Sequence, residues 1–260
     1  HHIQTNAPIG WYTSPHLFRL TERIRYSHST QSEFLECTND ELAWALTQIR
    51  DTSEETTFFE AMTAACFLIF AQRGVKIAVI ETGLGGRLDA TRLCVPFCSV
   101  ITSIGYDHME FLGHSLTEIA REKAGIFQTG IPAYVACDDE ASLLEIKQCA
   151  KKLDTPVIAY PSERCPPLPP TFITKLPLTG THQLQNAALA IAAVKHAPQP
   201  WRSALSDEVI LKGLEQTQWP GRLEKLMVNP EVWIDAAHNS QGAQTLLQWL
   251  RQQPHLPFTV

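Results

Sequence analysis

The sequence predicts an α/β fold with a mostly parallel sheet flanked by helices. Strand-like runs alternate with helical patterns through most of the chain. The two clearest strands, 76–81 and 98–103, each run into a polar, glycine-containing turn, and the helices between them carry readable start signals. Ligands of doubly wound sheets collect at the carboxyl ends of strands, so the loops after Glu81 and Ser103 are expected to face one site.

Residues 57–72 read as a long apolar helix. Its apolar stretch, 61–71, is well short of the roughly 20 residues that cross a bilayer, so it is expected to be buried rather than membrane-spanning. After the two strands, Ser115-Leu-Thr-Glu118 is a capping box. The Ser hydroxyl and the Glu carboxylate satisfy opposite orphan N–H groups, and the helix is expected to run to about Phe127. Residues 160–177 hold Pro161, Pro166, Pro167, Pro169, Pro170 and Pro177, which predicts edge strand and loop without helix, separating two parts of one domain. Residues 183–196 are Ala-rich with apolar residues on successive turns, a pattern for tight helix packing. Near 224–231 a boundary is expected, since a strand at 232–235 and a helical pattern from Gln241 open a new unit. The expected domains are therefore 1–226 and 227–260, with no internal repeat.

At 260 residues the chain can bury a sizeable core, and 44% apolar residues with 17 Pro and 13 Gly exclude a disordered or fibrous chain. A formal charge of −6 argues against a surface built to bind nucleic acid. The seven cysteines are odd in number and scattered, which suits a reducing compartment; with no secretory pattern at residues 1–4, cytoplasm is the expected location. Cys94-x3-Cys98, with His108 and His114 downstream, lacks a second matching pair and reads as buried thiols rather than a zinc site.

The densest functional signal is 81–91, Glu-Thr-Gly-Leu-Gly-Gly-Arg-Leu-Asp-Ala-Thr. A carboxylate at a strand end is followed by three glycines that permit close backbone approach, then Arg87 and Asp89. The bland reading is a polar tight turn. A dinucleotide fingerprint is excluded, because the third glycine is displaced and Ser103 stands where an acidic residue is needed. Asp107-His108 follows the second strand, and an imidazole sharing a rim with Glu81 makes an oxygen/nitrogen site for a hard divalent ion that also bridges phosphate oxygens. Lys123 reads either as a snorkelling surface lysine or as a desolvated amine able to take up CO2 as a metal-binding carbamate. Asn186, Arg222, and Asp235 with His238-Asn239 have ordinary readings as helix-terminal, loop or capping residues.

Taken together, these motifs resemble the folylpolyglutamate synthase/dihydrofolate synthase family of the Mur ligase superfamily. The matching strings, in family order, are Tyr12-Thr-Ser-Pro-His-Leu17 with Glu22-Arg23-Ile24, Thr57-Phe-Phe-Glu60, 81–91, 101–108 with Phe111-Leu-Gly113, Arg121-Glu-Lys-Ala-Gly-Ile126, Gly180-Thr-His-Gln183 with Asn186-Ala-Ala188, Trp219-Pro-Gly-Arg-Leu-Glu224, and Asp235-Ala-Ala-His-Asn239. The resemblance implies ATP-dependent joining of L-glutamate to dihydropteroate or to tetrahydrofolate (poly)glutamates through an acyl phosphate. It implies ATP and Mg2+ as cofactors, with Glu81, His108 and carbamylated Lys123 as metal ligands. Arg222 would lie near the ATP phosphates, with Asn186, Asp235 and His238 also on ATP. Ser14, Pro15 and His16 would lie in the loop near the pterin-bearing substrate. A monomer with small-molecule substrates, and no nucleic-acid or membrane partner, is expected. Residues 1–226 would be the central ATP-binding domain and 227–260 the start of the C-terminal domain.

The sequence departs from the family in two places. The phosphate-binding loop that precedes Ser-Pro-His-Leu in the family has no match, since nothing here pairs Gly-Lys with a following Ser or Thr. The chain is therefore expected to be an internal fragment lacking the phosphate-loop unit, and inactive as it stands. The family's Asp-Gly-Ala-His is Asp235-Ala-Ala-His238 here, where the added methyl is expected to stiffen or crowd the loop. Two other readings compete. A cell-wall Mur-type ligase would share the ATP and metal residues but not the Ser-Pro-His-Leu loop. A non-catalytic nucleotide-binding relative would suit the missing phosphate loop but not the retained Glu81, His108, Lys123, Arg222 and Asp235.

Overall fold

The structure, a computed structural model, describes residues 8–27, 33–52 and 55–253. The residues read above for a secretory signal, and the last seven of the expected 227–260 domain, lie outside these. The chain divides into two compact units, one drawn from residues up to Val95 with Gln199–Ala204, the other from Pro96–Pro198 and Leu205 onward. The division falls inside the stretch 1–226 that the sequence reads as one domain.

The first unit contains β1 (Ile9–Tyr12), β2 (Ile24–Ser27), β3 (Phe34–Glu36), α1 (Asn39–Arg50), α2 (Phe58–Gln72) and β4 (Ile77–Ile80). Its sheet has the order β3-β2-β1-β4, with β1 parallel to β4 and antiparallel to β2, and β2 antiparallel to β3. Both helices start with capping boxes, Thr38 with Glu41 and Thr57 with Glu60, which satisfy the orphan N–H groups of the first turn. The core is Tyr12, Ile24, Met62, Cys66 and Ile69, all at most 1% exposed, and the Tyr12 hydroxyl shares a 3.1 Å hydrogen bond with Thr63 Oγ1. Gly10 lets α2 close on the sheet, because a Cβ there would come within 2.6 Å of the Phe70 ring.

In the second unit β5 (Ser99–Ile101), β6 (Ala133–Ala136) and β7 (Val157–Tyr160) form a parallel sheet in that order. One face is covered by α4 (Leu116–Ala124) and α5 (Glu140–Lys151) through Ala120 and Ile146, with Phe127 from the turn after α4; the other packs on α7 (Thr181–Lys195) through Leu189 and Ala192. All four β6 residues are buried, as befits a central parallel strand covered on both faces. Short α3 (Met109–Leu112) and α6 (Pro170–Ile173), then α8 (Asp207–Glu215), lie between these elements, and α6, α7 and α8 share a further apolar cluster. The unit continues with an antiparallel hairpin, β8 (Glu224–Val228) and β9 (Glu231–Ile234), and α9 (Ser240–Arg251). Trp249 of α9 packs edge-on against Trp233 of β9, with ring centroids 4.8 Å apart.

Several expectations are corrected. The helix begun by the Ser115 capping box ends at Ala124, and Phe127, beyond its Gly125 C-cap, fills the core instead. The proline-rich stretch does hold a helical turn at Pro170–Ile173, tolerated because Pro at a first helical position gives up an N–H that is an orphan anyway. The strand expected at 232–235 is β9, but it pairs with β8, which the sequence reading did not anticipate. The parallel ladders expected are present in β1–β4 and β5–β6–β7, with the antiparallel β1–β2–β3 meander beside them. Among the described residues no helix is long and apolar enough to cross a membrane.

Candidate active site

In the first unit, the Ser14-Pro15-His16 loop and Glu81 are brought together. β1 and β4 run parallel and end side by side, Tyr12 opposite Ile80, so the chain leaves both strands at one edge. The Ser14 N–H donates to Glu81 Oε2 at 2.9 Å, and the Glu81 N–H donates to the Tyr12 carbonyl at the same distance. The loop after Ser14 is organised by Glu22, which is 7% exposed and accepts the N–H groups of Leu17, Phe18 and Arg19 at 2.8–3.1 Å. Burial acts to raise the Glu22 carboxyl, but these donors outweigh it and hold the group below its ordinary range. Buried Arg23 donates from Nε to His16 Nδ1 at 2.9 Å and stacks its guanidinium over the Phe58 ring. A guanidinium only donates, so Nδ1 of His16 is the acceptor in this bond.

The glycine-rich loop is shaped by Asp89. One of its oxygens accepts the N–H groups of Gly83 and Leu84 at 2.9 and 2.8 Å; the other takes the N–H and hydroxyl of Thr91. Asp89, read from sequence as part of a ligand signal, thus has a structural use. Gly83 is required by packing, since a Cβ there would overlap the Phe59 ring.

In the second unit, His108 follows β5 in the left-handed region (φ 45°), a conformation that non-glycine residues hold only where surrounding structure enforces it. It is exposed, and its N–H donates to Asp107 Oδ1 at 3.0 Å. Asp107 Oδ2 accepts from the Asn239 side-chain amide at 2.9 Å, and Asn239 also caps α9 by accepting the Gly242 N–H. The loop after β5 and the loop after β9 are therefore tied together. Half-buried Lys123, late in α4, is pushed below the ordinary lysine range by burial, with the Asp107 carboxylate pulling the other way. Of these two influences burial is the larger, so the charged form of the Lys123 amine is disfavoured.

Exposed Arg222 lies in a loop held by Asp235. Asp235 Oδ2 accepts the Leu223 N–H at 2.9 Å and Oδ1 the Ala237 N–H at 2.8 Å, while the Ala236 N–H donates to the Gly221 carbonyl at 2.8 Å. In this loop Gly221 (φ 74°) and Leu223 (φ 45°), on either side of Arg222, are both in the left-handed region. The Ala236 methyl, expected to crowd this loop, faces bare Gly221, where even an added Cβ would sit 4.0 Å away. His182, at the start of α7, is in electrostatic reach of both Asp235 and Arg222. Asn186 donates to Gln183 within α7, and exposed His238 shares a hydrogen bond with the Ala236 carbonyl of its own loop. The expected metal ligands are thus distributed, with Glu81 in the first unit and His108 and Lys123 in the second. Among the described residues no three His, Cys, Asp or Glu side chains gather as a metal site, and the expected set contains only two residues of those types. All seven cysteines are free thiols.

The reading from sequence did not single out Glu22, Arg23 or His182 individually; it named Asp107 beside His108, and its ordinary reading of Asn239 as a capping residue matches the N-cap found. Glu22-Arg23 and His182 lie inside strings that were read, but nothing in sequence separates a carboxylate that gathers three loop N–H groups from a surface one.

Comparison with known proteins returns the Mur ligase middle domain, matched over residues 28–164. A dihydrofolate synthase/folylpolyglutamate synthase of Bacillus subtilis is 36% identical over 270 residues, covering 94% of this chain and 61% of the relative. A folylpolyglutamate synthase of Lacticaseibacillus casei is 32% identical over 277 residues, covering 97% and 63%. A crystal structure of a bifunctional folylpolyglutamate synthase/dihydrofolate synthase with Mn, AMPPNP and L-glutamate bound superposes with a TM-score of 0.79 at 33% identity, over 96% of this chain and 61% of that one. The chain thus spans somewhat under two thirds of the length of the relatives it matches.

Proposed function

The chain belongs to the Mur ligase middle-domain family, and from that premise we propose that it carries the nucleotide- and metal-binding residues of an ATP-dependent amide ligase. The proposed reaction joins L-glutamate to dihydropteroate or to tetrahydrofolate (poly)glutamates. The observation that carries this reading is the hydrogen bond from the Ser14 N–H to Glu81, which seats the loop resembling a pterin-substrate loop against the carboxylate resembling a metal ligand. The relatives and the structure holding AMPPNP and L-glutamate support it.

The donor chemistry fits a hard divalent ion: a carboxylate in Glu81, an imidazole in His108, and in Lys123 an amine that burial moves toward its neutral, carbamate-forming state. When bound, Mg2+ would polarise the ATP γ-phosphate and neutralise charge developing on it. A substrate carboxylate is a poor electrophile with a poor leaving group. Its oxygen attacks the γ-phosphorus, the bond to ADP breaks, and the acyl phosphate has a good leaving group. The glutamate amine then attacks the acyl carbon, phosphate departs, and the amine proton is lost. Within this scheme Arg222 supplies fixed positive charge to the phosphates, held by the Asp235-anchored loop. Asn186, Asp235 and His238 hold the nucleotide, and Ser14, Pro15 and His16 hold the pterin-bearing end. The proposed domain assignment remains 1–226 for the central domain and 227–260 for the start of the C-terminal one. A cytoplasmic monomer without nucleic-acid or membrane partners completes the proposal, the free thiols and the net charge of −6 supporting it.

The test is to incubate the whole gene product with ATP, Mg2+, L-glutamate and either dihydropteroate or tetrahydrofolate. ADP and a glutamylated product should appear in equal amounts, and only when all substrates are present. ADP release dependent instead on a cell-wall nucleotide precursor would replace the folate reading with the cell-wall one.

A further inference from the structure

We propose that the cavity between the proline-rich segment and the last turns of α7 binds a small carboxylate with a flat apolar body, its charged end meeting Arg164 and the Tyr134 hydroxyl. The inference goes beyond the ligase reading and does not rest on it. The cavity has a volume of about 250 Å3, lies wholly within the second unit, and is lined by none of the residues proposed for the ligase. Gln185 Nε2 donates to the Thr102 carbonyl just past β5 at 3.0 Å, and Cys98 Sγ, just before β5, meets the Ala193 carbonyl at 3.8 Å. α7 therefore runs back along β5, and its end at Ile191 to Lys195, which borders the cavity, lies away from the loop that carries His108.

The apolar walls come from two elements. Pro167, Pro169 and Phe172 belong to the proline-rich segment, and Ala188 and Ile191 to α7. Leu168 and Phe172 are each 8% exposed and share one apolar cluster with Ala187 and Ala188, so the segment is fixed against the helix. Proline and aromatic rings present flat apolar surfaces, which suit a flat occupant. The volume is below the roughly 300–1,000 Å3 of pockets for drug-sized ligands, which limits that occupant to one ring or a fused pair.

The polar groups point to an anion. Tyr134 is 6% exposed, yet its hydroxyl has no hydrogen-bond partner among the described residues, and it is not one of the polar atoms sealed from solvent. Burial pushes the phenol up, so the hydroxyl keeps its proton and can donate; the Arg164 guanidinium is close enough to pull the other way. Arg164 is held at a turn in which the Ser162 and Cys165 N–H groups donate to each other's carbonyls at 3.0 and 3.1 Å, with Cys165 fully buried as the anchor. Exposed Lys195 pairs with Asp207 at 3.3 Å, whereas Arg164 makes no ion pair among the described residues. The lining thus carries one uncompensated positive charge beside one neutral donor. That set matches the single charge and planar oxygens of a carboxylate better than the double charge of a phosphate ester.

Calorimetric titration of the whole gene product with 2-naphthoate tests the proposal, against 2-naphthamide as the uncharged counterpart and inorganic phosphate as an anion without an apolar body. 2-Naphthoate should bind, the amide at least about tenfold more weakly, and phosphate not measurably. Arg164→Gln, on an exposed turn, and Tyr134→Phe, which removes one oxygen and keeps the ring, should each weaken 2-naphthoate binding about tenfold, the effect of one lost hydrogen bond to a charged group. Nuclear Overhauser contacts from the naphthoate protons to the Phe172 ring in the unsubstituted protein locate the ligand even if the Phe variant misfolds. No binding of 2-naphthoate up to about 1 mM would overturn the proposal, as would equal binding of the amide, phosphate binding as tight as that of 2-naphthoate, or an affinity that Arg164→Gln leaves within about twofold.

Discussion

Lys123→Ala is expected to lower the rate of glutamate ligation by about a hundredfold to a thousandfold while leaving the fold intact, the range seen when one charge-stabilising group is removed from an active site. The rate should fall because the proposed role of Lys123 is to hold metal through a carbamate, which no alanine can form. The fold should survive because the side chain is half-buried with an amine that burial already disfavours as a cation, so its removal relieves a desolvation cost. Alanine is also the best helix former, and position 123 lies in the last turn of α4. The check pairs kcat with a thermal melt. Full activity in a folded variant would remove the carbamate from the mechanism.

Glu22→Ala is expected to cost about 2–4 kcal/mol of stability and to raise the KM for the pterin substrate severalfold, because three loop N–H groups lose a charged acceptor at once. The donors belong to Leu17, Phe18 and Arg19, next to the proposed substrate residues Ser14, Pro15 and His16. Glu22→Gln keeps one carbonyl acceptor and should recover part of both losses. The pH dependence follows from the direction of the shift. The folded-state carboxyl lies below its unfolded value, so the stabilisation is complete above the ordinary carboxylate pKa and fades as pH falls through the lower folded one. Melting temperatures of the two proteins should therefore differ by a constant amount near neutral pH and converge in strong acid. A difference that did not narrow there would mean that the carboxylate charge is not what holds the loop.

Much of the fold is legible in the sequence because the signals are local. Thr57 and Ser115 sit one residue before their helices, and the runs at 76–81 and 98–103 contain the strands found at Ile77–Ile80 and Ser99–Ile101. The elements not read from sequence are those whose reason is tertiary. β3 is three residues long, too short to show alternation, and exists by pairing with β2. β8 is recognisable only from its partner β9. The site divides in the same way. Glu81, His108, Lys123 and Arg222 stand out as chemistry-bearing residues in recognisable strings, whereas Asp107 and Asn239, 132 positions apart, become a pair only once β5 and α9 are folded. His182 looks like any histidine near a helix start until its ring nitrogen is seen to be buried without a partner.

The central claim, that this chain serves a ligase working through an acyl phosphate, is tested most directly by oxygen transfer. Dihydropteroate or folate labelled with 18O in the reacting carboxylate would be incubated with the whole gene product, ATP, Mg2+ and L-glutamate, and the released phosphate examined by mass spectrometry. The account predicts one labelled oxygen in each phosphate, because the carboxylate oxygen that attacks the γ-phosphorus leaves with it. Glutamylated product formed with unlabelled phosphate would contradict it.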